Sequence, residues 1–268
     1  MITEHRNPLR KQYITTRPTP AYPCLTAEED RELDIAVQRI IHVEITTRRM
    51  YKEMKKYINA IKQVDSTDQA LTSNLVQSGL VHVNDNLRIL MEEFHSITTQ
   101  IGKTVEEAVI FYQKSFLEPL KKLREHFAYI RDALNKREDL VSTWKTAHTN
   151  FKKYNDRREK KASDHVKLNK EKIAEEQAGK ELKAYHAHLL TELPIFLEKR
   201  LEYMKPTLHA FIATQLEYYG NSTRLFTQLM PEKNESGSPN SSMSEEDYQR
   251  EIDTNFKRIK ELTIVKHC

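Results

Sequence analysis

Residues 87–151 read LRILMEEFHSITTQIGKTVEEAVIFYQKSFLEPLKKLREHFAYIRDALNKREDLVSTWKTAHTNF, and they carry the clearest helical pattern in the chain. Apolar or aromatic side chains recur in it at every third or fourth position, with a mean step of about 3.6 residues, which is the period of an α-helix. The repeat continues from Leu87 to Phe151, and its only positions that are not apolar or aromatic are Arg137 and His148. At ~1.5 Å per residue such a helix is roughly 95 Å long, so we expect an elongated bundle rather than a compact domain.

Three prolines lie inside helical repeats. Pro119 falls within the stretch above, and Pro194 and Pro206 fall within a later apolar repeat. A proline inside a helix removes one backbone hydrogen bond and clashes with the preceding turn, so it bends the helix. Because the apolar repeat keeps its phase across Pro119, we predict kinks at these positions rather than helix ends.

A first long helix is predicted to begin after Thr26, because Glu29 follows three residues later and completes a capping box. Its apolar repeat starts at Leu33. The polar residues 65–68 are expected to bend or interrupt this helix, and a break is expected near residues 83–86.

A third apolar repeat runs from Leu182 to Leu229. Three long amphipathic helices in sequence predict an all-α fold, an elongated, kinked three-helix antiparallel coiled-coil bundle. The apolar faces of the first and third helices are too broad for one thin bundle to cover, so we expect an obligate dimer.

Composition divides the chain into four parts. Residues 1–25 contain four prolines and are predicted to be a basic, mostly irregular N-terminal arm. Residues 26–230 are the helical core, residues 231–246 have the composition of a disordered Ser-rich linker, and residues 247–266 are predicted to form a C-terminal amphipathic helix.

Composition and motifs also argue against several function classes. The two cysteines lie far apart, so neither a disulfide framework nor a cysteine zinc site is expected. No apolar run is long enough to span a bilayer, and we expect a cytoplasmic protein. No phosphate loop, nucleophile elbow or metalloprotease motif occurs, so we predict no enzyme activity, no cofactor and no metal site.

Residues 145–172 are the most basic part of the chain, with ten basic side chains against four acidic ones. The apolar repeat fades here, so this is where two long helices are expected to turn. We predict that this cluster binds lipid through Lys145, Lys152, Lys153, Arg157, Arg158, Lys160, Lys161, Lys167, Lys170 and Lys172. A solvated helix end is the simpler alternative, and nucleic acid is not expected because few aromatic side chains are interleaved.

Two proline-containing segments resemble the amphiphysin/Rvs type of BAR domain. Residues 117–123, LEPLKKL, resemble the second helix of that family, and residues 192–208, ELPIFLEKRLEYMKPTL, resemble the third. The resemblance implies a crescent-shaped dimer that binds anionic membrane and senses or generates curvature, with Arg10 and Lys11 as further membrane contacts near the N-terminus.

The resemblance also implies a cellular setting. The partners it implies are a second copy of the chain or an amphiphysin-like BAR partner, with actin-regulatory proteins as further candidates. It implies a peripheral location at the membrane and the cortical cytoskeleton, and roles in endocytosis and cortical actin organisation. We expect a BAR-only member with no SH3 domain.

A second hypothesis treats the chain as a coiled-coil module that bridges proteins without bending membrane itself. A small GTPase or an amphiphysin-like protein would then be its partner. Whether the purified protein associates with lipid alone, or only with another protein, distinguishes the two hypotheses.

Overall fold

A computed structural model of the protein describes residues 17–156, 162–229, 244–262 and 264. Apart from short turns, these residues form only helices. They are α1 (Ala27–Gln77), α2 (Asp85–Tyr112), α3 (Glu118–Asn155), α4 (Ala162–Thr227) and α5 (Glu245–Lys260). The chain divides into two compact units, one up to Leu225 and one from Phe226 onward. The predicted all-α helical bundle is confirmed.

The capping box at the start of α1 forms as expected. The Glu29 backbone N–H donates to Thr26 Oγ1 over 3.2 Å, and the Thr26 N–H donates to Glu29 Oε2 over 2.7 Å. The helix then continues through residues 65–68, so the interruption expected there is wrong. The Thr67 hydroxyl, which could have competed with the helix, instead donates to the carbonyl of Gln63 one turn earlier, over 2.8 Å.

The turn between α1 and α2 begins earlier than the sequence suggested. A break was expected near residues 83–86, whereas α1 ends at Gln77 and a short 3₁₀ turn spans Val81–Val83. Asn84 then caps α2, because its side-chain oxygen accepts the N–H groups of Asn86 and Leu87.

A π-helical turn, Gln113–Leu117, joins α2 to α3 and lies directly before Pro119. The Glu118 N–H donates to the carbonyl of Gln113, five residues earlier. Because a proline cannot donate to the preceding turn, a locally widened turn lets the helix pass through this position without ending.

The hairpin of α1 and α2 is held by a small polar contact. The hydroxyls of Thr72 and Thr98 lie 3.0 Å apart, and Thr72 Oγ1 lies 2.9 Å from His95 Nδ1. One turn further along α2, a Cβ atom on Gly102 would come within 2.8 Å of Asp65 Oδ1. Glycine at this position therefore allows the two helices to approach closely.

Helix α4 packs against both α1 and α3. The rings of Phe127 and Phe196 meet edge to face at 5.8 Å, and the Tyr57 ring meets Phe211 at 6.1 Å. The Tyr203 hydroxyl donates to the carbonyl of Pro119 over 3.3 Å. These contacts involve residues 196–211, in the middle part of α4, and place this part of the helix beside both α1 and α3.

The segment before α1 packs against the bundle rather than lying free. Ala21 and Leu25 are buried in one cluster with Val141, Trp144 and Leu182, which belong to α3 and α4. Trp144 is therefore buried within its own chain.

Arg137 holds this packed segment in place. Its side chain is 0% exposed, donates from Nη1 to the carbonyl of Thr19 over 2.6 Å, and pairs through Nη2 with Asp30 at 2.9 Å. The Glu138 carboxylate accepts the Thr19 N–H over 3.2 Å and pairs with Arg137 at 2.8 Å. One arginine thus joins the N-terminal segment, α1 and α3.

Helix α5, in the second unit, begins with its own capping box. Asp247 donates its N–H to the Ser244 hydroxyl, and Ser244 donates its N–H to the Asp247 carboxylate. One face presents the exposed apolar side chains of Tyr248, Ile252, Phe256 and Ile259.

Replacing Arg137 by methionine should destabilise the protein strongly. The change leaves Asp30 Oδ1 and the Thr19 carbonyl without their donor in a largely buried position, and losing one partner of such a pair reduces the free energy of unfolding by about 3–5 kcal/mol. Urea unfolding at one fixed protein concentration measures this. The matched change at the exposed Lys122, Lys122→Met, should stay within about 0.5 kcal/mol of wild type, and equal midpoints for both variants would contradict the role given to Arg137.

Candidate functional site

The end of α3 and the start of α4 lie side by side. Glu175 on α4 accepts a hydrogen bond from Trp144 Nε1 over 3.3 Å, and the same oxygen lies 3.2 Å from His148 Nδ1. The rings of Trp144 and His148 are stacked at 5.2 Å. Beyond this contact, α3 continues to Asn155 and α4 starts at Ala162, so the predicted turn between two long helices lies within the basic cluster.

Six of the ten predicted lipid-binding side chains belong to the described residues, and all six are exposed. They are Lys145, Lys152 and Lys153 near the end of α3, and Lys167, Lys170 and Lys172 near the start of α4. Arg157, Arg158, Lys160 and Lys161 lie outside the described residues, as do Arg10 and Lys11 near the N-terminus. We call the six described lysines the tip cluster; their binding of lipid stays a prediction.

Most of the tip cluster is not neutralised by neighbouring carboxylates. Lys172 approaches Glu176 at 3.8 Å, an exposed pair that stabilises little. The other five lysines form no ion pair with any described residue. Their ammonium groups are therefore available to an anionic partner. The simpler alternative, a solvated helix end, is also compatible with this exposure.

The three prolines fall inside described helices. Pro119 is near the start of α3, and Pro194 and Pro206 lie within α4. That they kink these helices stays a prediction, although the π-helical turn before Pro119 shows how the backbone adjusts there.

An apolar groove lies between α1 and α4, the two helices whose apolar faces were expected to be too broad for the bundle to cover. It has a volume of about 720 Å³, and Ile35, Val43, Leu197 and Leu201 line it. Further along α4, one helical face exposes Leu208, Ile212, Leu216 and Tyr219. Periodicity could show that α4 is amphipathic, but not which part of its apolar face the other helices leave uncovered.

His186 is a buried histidine that the sequence did not distinguish from its neighbour His188. It is 1% exposed, and its Nε2 lies 3.2 Å from the carbonyl of Glu29 at the start of α1. Burial lowers the pKa of His186 below its usual 6.5, and the nearby Arg137 charge lowers it further. The ring is therefore held neutral in the folded protein at neutral pH.

Stability should therefore decline as the pH falls below about 6.5, and His186 should account for part of the decline. In that range the unfolded chain takes up a proton on this ring that the folded chain does not, because the pKa of His186 is lowered only in the folded state. Urea midpoints between pH 7.5 and pH 5 test this. His186→Gln should flatten the dependence while the exposed control His188→Gln leaves it unchanged, and identical slopes for all three proteins would refute the assignment.

Two other features of the described residues bear on function. No helix in this part of the chain is both long and apolar enough to cross a membrane. Within the same residues, no group of three or more histidine, cysteine, aspartate or glutamate side chains is arranged to hold a metal ion.

Comparison of the sequence with protein-family models gives a match that covers most of the chain. The model of the BAR domain family matches residues 26–234. Bridging integrator 3 of Homo sapiens is 25% identical over 240 residues, covering 90% of this chain and 92% of that protein. Reduced viability upon starvation protein 161 of Saccharomyces cerevisiae is 24% identical over 199 residues, covering 70% of this chain and 71% of its own length.

A solved structure shows the same fold. The amphiphysin BAR domain from Drosophila superposes with a TM-score of 0.55 at 17% sequence identity, and the match covers 75% of this chain and 90% of that one. At this identity the similarity concerns the fold alone. It agrees with the arrangement of α1 to α4 found here.

Proposed function

Because the chain belongs to the BAR domain family, whose members are structural scaffolds that generally dimerise and bind membranes, we propose that it binds anionic membrane and senses or generates curvature there. The observation that carries the proposal is the tip cluster. Its six lysines are exposed, and only Lys172 pairs with a carboxylate of the described residues. Anionic headgroups hold each lysine near the surface with about 1 kcal/mol, so several lysines together give useful affinity.

The proposed cellular role follows the resemblance of the sequence to the amphiphysin/Rvs type. We place the protein in the cytoplasm, peripherally at membrane and cortical cytoskeleton, where it links membrane to endocytosis and cortical actin organisation. Actin-regulatory proteins are further candidate partners. The BAR family match and the relatives named above support this role.

Reversing the charge of Lys145, Lys152, Lys153 and Lys167 to glutamate should abolish binding to anionic vesicles. Loss of four attractions of about 1 kcal/mol each weakens binding by roughly a thousandfold per protomer, before the added repulsion is counted. Vesicle co-sedimentation with phosphatidylserine-containing liposomes measures the effect, and circular dichroism checks that helicity is kept.

A control variant with the same change of net charge shows whether vesicle binding depends on the position of the lysines or only on the total charge. Lys62, Lys103, Lys114 and Lys205 are exposed lysines outside the tip cluster, and their reversal to glutamate should weaken binding far less. If both quadruple variants lost binding equally, the tip cluster would not be the lipid-binding surface.

We further propose that the functional unit is a dimer. Large apolar patches on a protein surface mark partner-binding sites, and α4 exposes Leu208, Ile212, Leu216 and Tyr219 on one face. The α1–α2 hairpin adds the exposed side chains of Leu80 and Val83. A second copy of the chain is the proposed partner, and an amphiphysin-like BAR protein could use the same faces in a heterodimer.

Replacing Leu208 and Leu216 by glutamate should convert the dimer to monomers, because each substitution places a charge in the proposed apolar interface. Sedimentation velocity measures the change. Val166→Glu, a substitution at an exposed apolar residue near the tip, should leave the dimer intact. A wild-type protein that sediments as a monomer at micromolar concentration would contradict the proposal directly.

The apolar groove between α1 and α4 supports a second candidate function, that of a module that bridges proteins. In that case the partner would be a small GTPase or an amphiphysin-like protein. Wild-type protein that is helical and dimeric but does not bind vesicles would favour this function over membrane binding.

A further inference from the structure

Helix α5 has an apolar face that stays exposed to solvent. Tyr248, Ile252, Phe256 and Ile259 are each at least 53% exposed. At about 100° per residue, these four side chains lie within roughly 80° of one another around the helix, so they form one continuous stripe, which we call the α5 stripe. The family match ends at residue 234, so it does not account for this helix. A continuous apolar stripe of this kind indicates a surface for a partner.

The two halves of α5 carry opposite charge. Residues 245–253 contain five acidic side chains and one basic one, whereas residues 254–260 contain three basic side chains and no acidic one. Arg250 pairs with Asp247 at 2.7 Å, but Lys257 and Lys260 form no ion pair with any described residue. This distribution suits the dipole of the helix, which explains the charges at its two ends but not the apolar stripe between them. The basic half is therefore available to a partner of the opposite charge.

A second copy of α5 in antiparallel orientation fits the apolar stripe. If the two helices pair about a centre near residue 254, Tyr248 of one copy lies level with Ile259 of the other. In the same register, Ile252 lies level with Phe256 of the second copy. The whole stripe is then covered by its own counterpart, and no side chain of the stripe is left without an apolar neighbour.

The charges that flank the stripe fit the same register. Glu251 and Arg258 lie on the same side of the stripe, and pairing about residue 254 brings Glu251 of one copy close to Arg258 of the other. In a parallel pair, the acidic half of one copy would instead lie beside the acidic half of the other, and neighbouring like charges destabilise paired helices. Charge therefore favours the antiparallel orientation.

An anionic lipid surface fits α5 less well than a second copy does. Helices that lie on such membranes are typically rich in lysine and arginine on their polar face. Helix α5 has five acidic side chains against four basic ones, and its first turn contains only acidic charges, at Glu245, Glu246 and Asp247. The acidic half would be repelled by anionic headgroups.

We propose that α5 pairs with α5 of a second copy of the chain, in antiparallel orientation, through the α5 stripe. An isolated helix of 16 residues is only marginally stable in water, so the pair depends on the dimer proposed above. In such a dimer, both copies of α5 are attached to one particle, which gives an effective concentration on the order of millimolar. The inference therefore rests on the proposed dimer and not on membrane binding.

Disulfide trapping in the full-length protein tests the pairing. The background is Cys24→Ala with Cys268→Ser; if it does not fold, Cys24 is retained, since it is only partly exposed. A single cysteine is then introduced by Asn255→Cys, beside the α5 stripe and close to the proposed centre. Thr254→Cys, one residue earlier but on the opposite side of the helix, is the matched control. Because pairing holds residue 255 near its counterpart, its disulfide should form at least about tenfold faster than that of residue 254.

A second trapping experiment tests the orientation. Gln249→Cys and Lys260→Cys place single cysteines on the other side of the stripe, near opposite ends of the helix. The two proteins are mixed, allowed to exchange subunits and oxidised, and mass spectrometry identifies the products. An antiparallel pair gives mainly the mixed disulfide between residues 249 and 260. A parallel pair would give disulfides between identical positions, and that result would overturn the proposal.

A charge placed in the stripe should abolish the pairing. Ile252→Glu, at a position that is exposed in the single chain, should remove the rate advantage of residue 255, because the carboxylate would be buried in the pair. Gln249→Glu introduces the same charge beside the stripe rather than in it and should leave the advantage intact. Circular dichroism and sedimentation check that both variants keep their helicity and remain dimeric.

The outcomes separate this inference from the proposed dimer. A wild-type dimer in which residues 254 and 255 are trapped at equal rates overturns the α5 pairing alone. A wild-type monomer overturns the dimer and the pairing together. If trapping rates are equal and Ile252→Glu also loses vesicle binding, the α5 stripe contacts lipid, which overturns the pairing as well. Fast trapping at residue 255 that Ile252→Glu abolishes, with the mixed disulfide as the main product, supports it.

Discussion

Burial of the apolar stripe that runs along α2 and α3 determines how long the other helices must be and where they pack. The stripe is roughly 95 Å long, so only partners of comparable length can cover it. Helices α1 and α4, with 51 and 66 residues, meet that requirement. Burying a large apolar side chain contributes about 1.5–3 kcal/mol, and residues such as Tyr112, Leu120 and Phe127 are fully buried along this stripe. A π-helical turn before Pro119 keeps the stripe continuous where a proline would otherwise break it.

The features that sequence analysis predicted are those that depend on neighbours close in the chain. The period of the apolar repeat, the capping box at Thr26 and the position of the turn beyond Asn155 all follow from residues a few positions apart. The expected interruption at residues 65–68 was wrong because it relied on local sequence alone. Polar residues suggested a break there, but α1 packs against α2 and remains continuous. The binding of lipid by the tip cluster, suggested by charge density alone, stays a prediction.

The features that sequence analysis missed depend on residues far apart in the chain. Arg137 and Asp30, separated by 107 positions, meet in a buried ion pair, and no local pattern indicates this. Glu44, Arg48 and Arg131 would count as ordinary charges on helix surfaces, yet they form one network between α1 and α3. The apolar groove between α1 and α4 likewise requires knowledge of which helix faces remain uncovered. Since these contacts join distant segments, only the fold reveals them.

The placement of charge, rather than its total, distinguishes the two basic surfaces. The formal net charge of +4 is small for a chain of 268 residues. At the tip, lysines are exposed and mostly without carboxylate partners, which suits many weak contacts with a lipid surface. Between α1 and α3, the buried Glu44 carboxylate accepts a hydrogen bond from Arg48, and the Arg124 guanidinium lies over the Tyr51 ring, so these cations are held in place.

The proposed function is that this protein binds anionic membrane electrostatically and acts on its curvature. The most direct test is co-sedimentation of wild-type protein with anionic liposomes across a salt series, with electron microscopy of the same mixtures. Because exposed charges are screened over about 10 Å at 0.1 M salt and about 3 Å at 1 M, binding should be strong at low salt and lost at high salt. Tubules or a preference for small vesicles should accompany binding. A folded, helical dimer that binds no liposomes at any salt concentration would contradict the account.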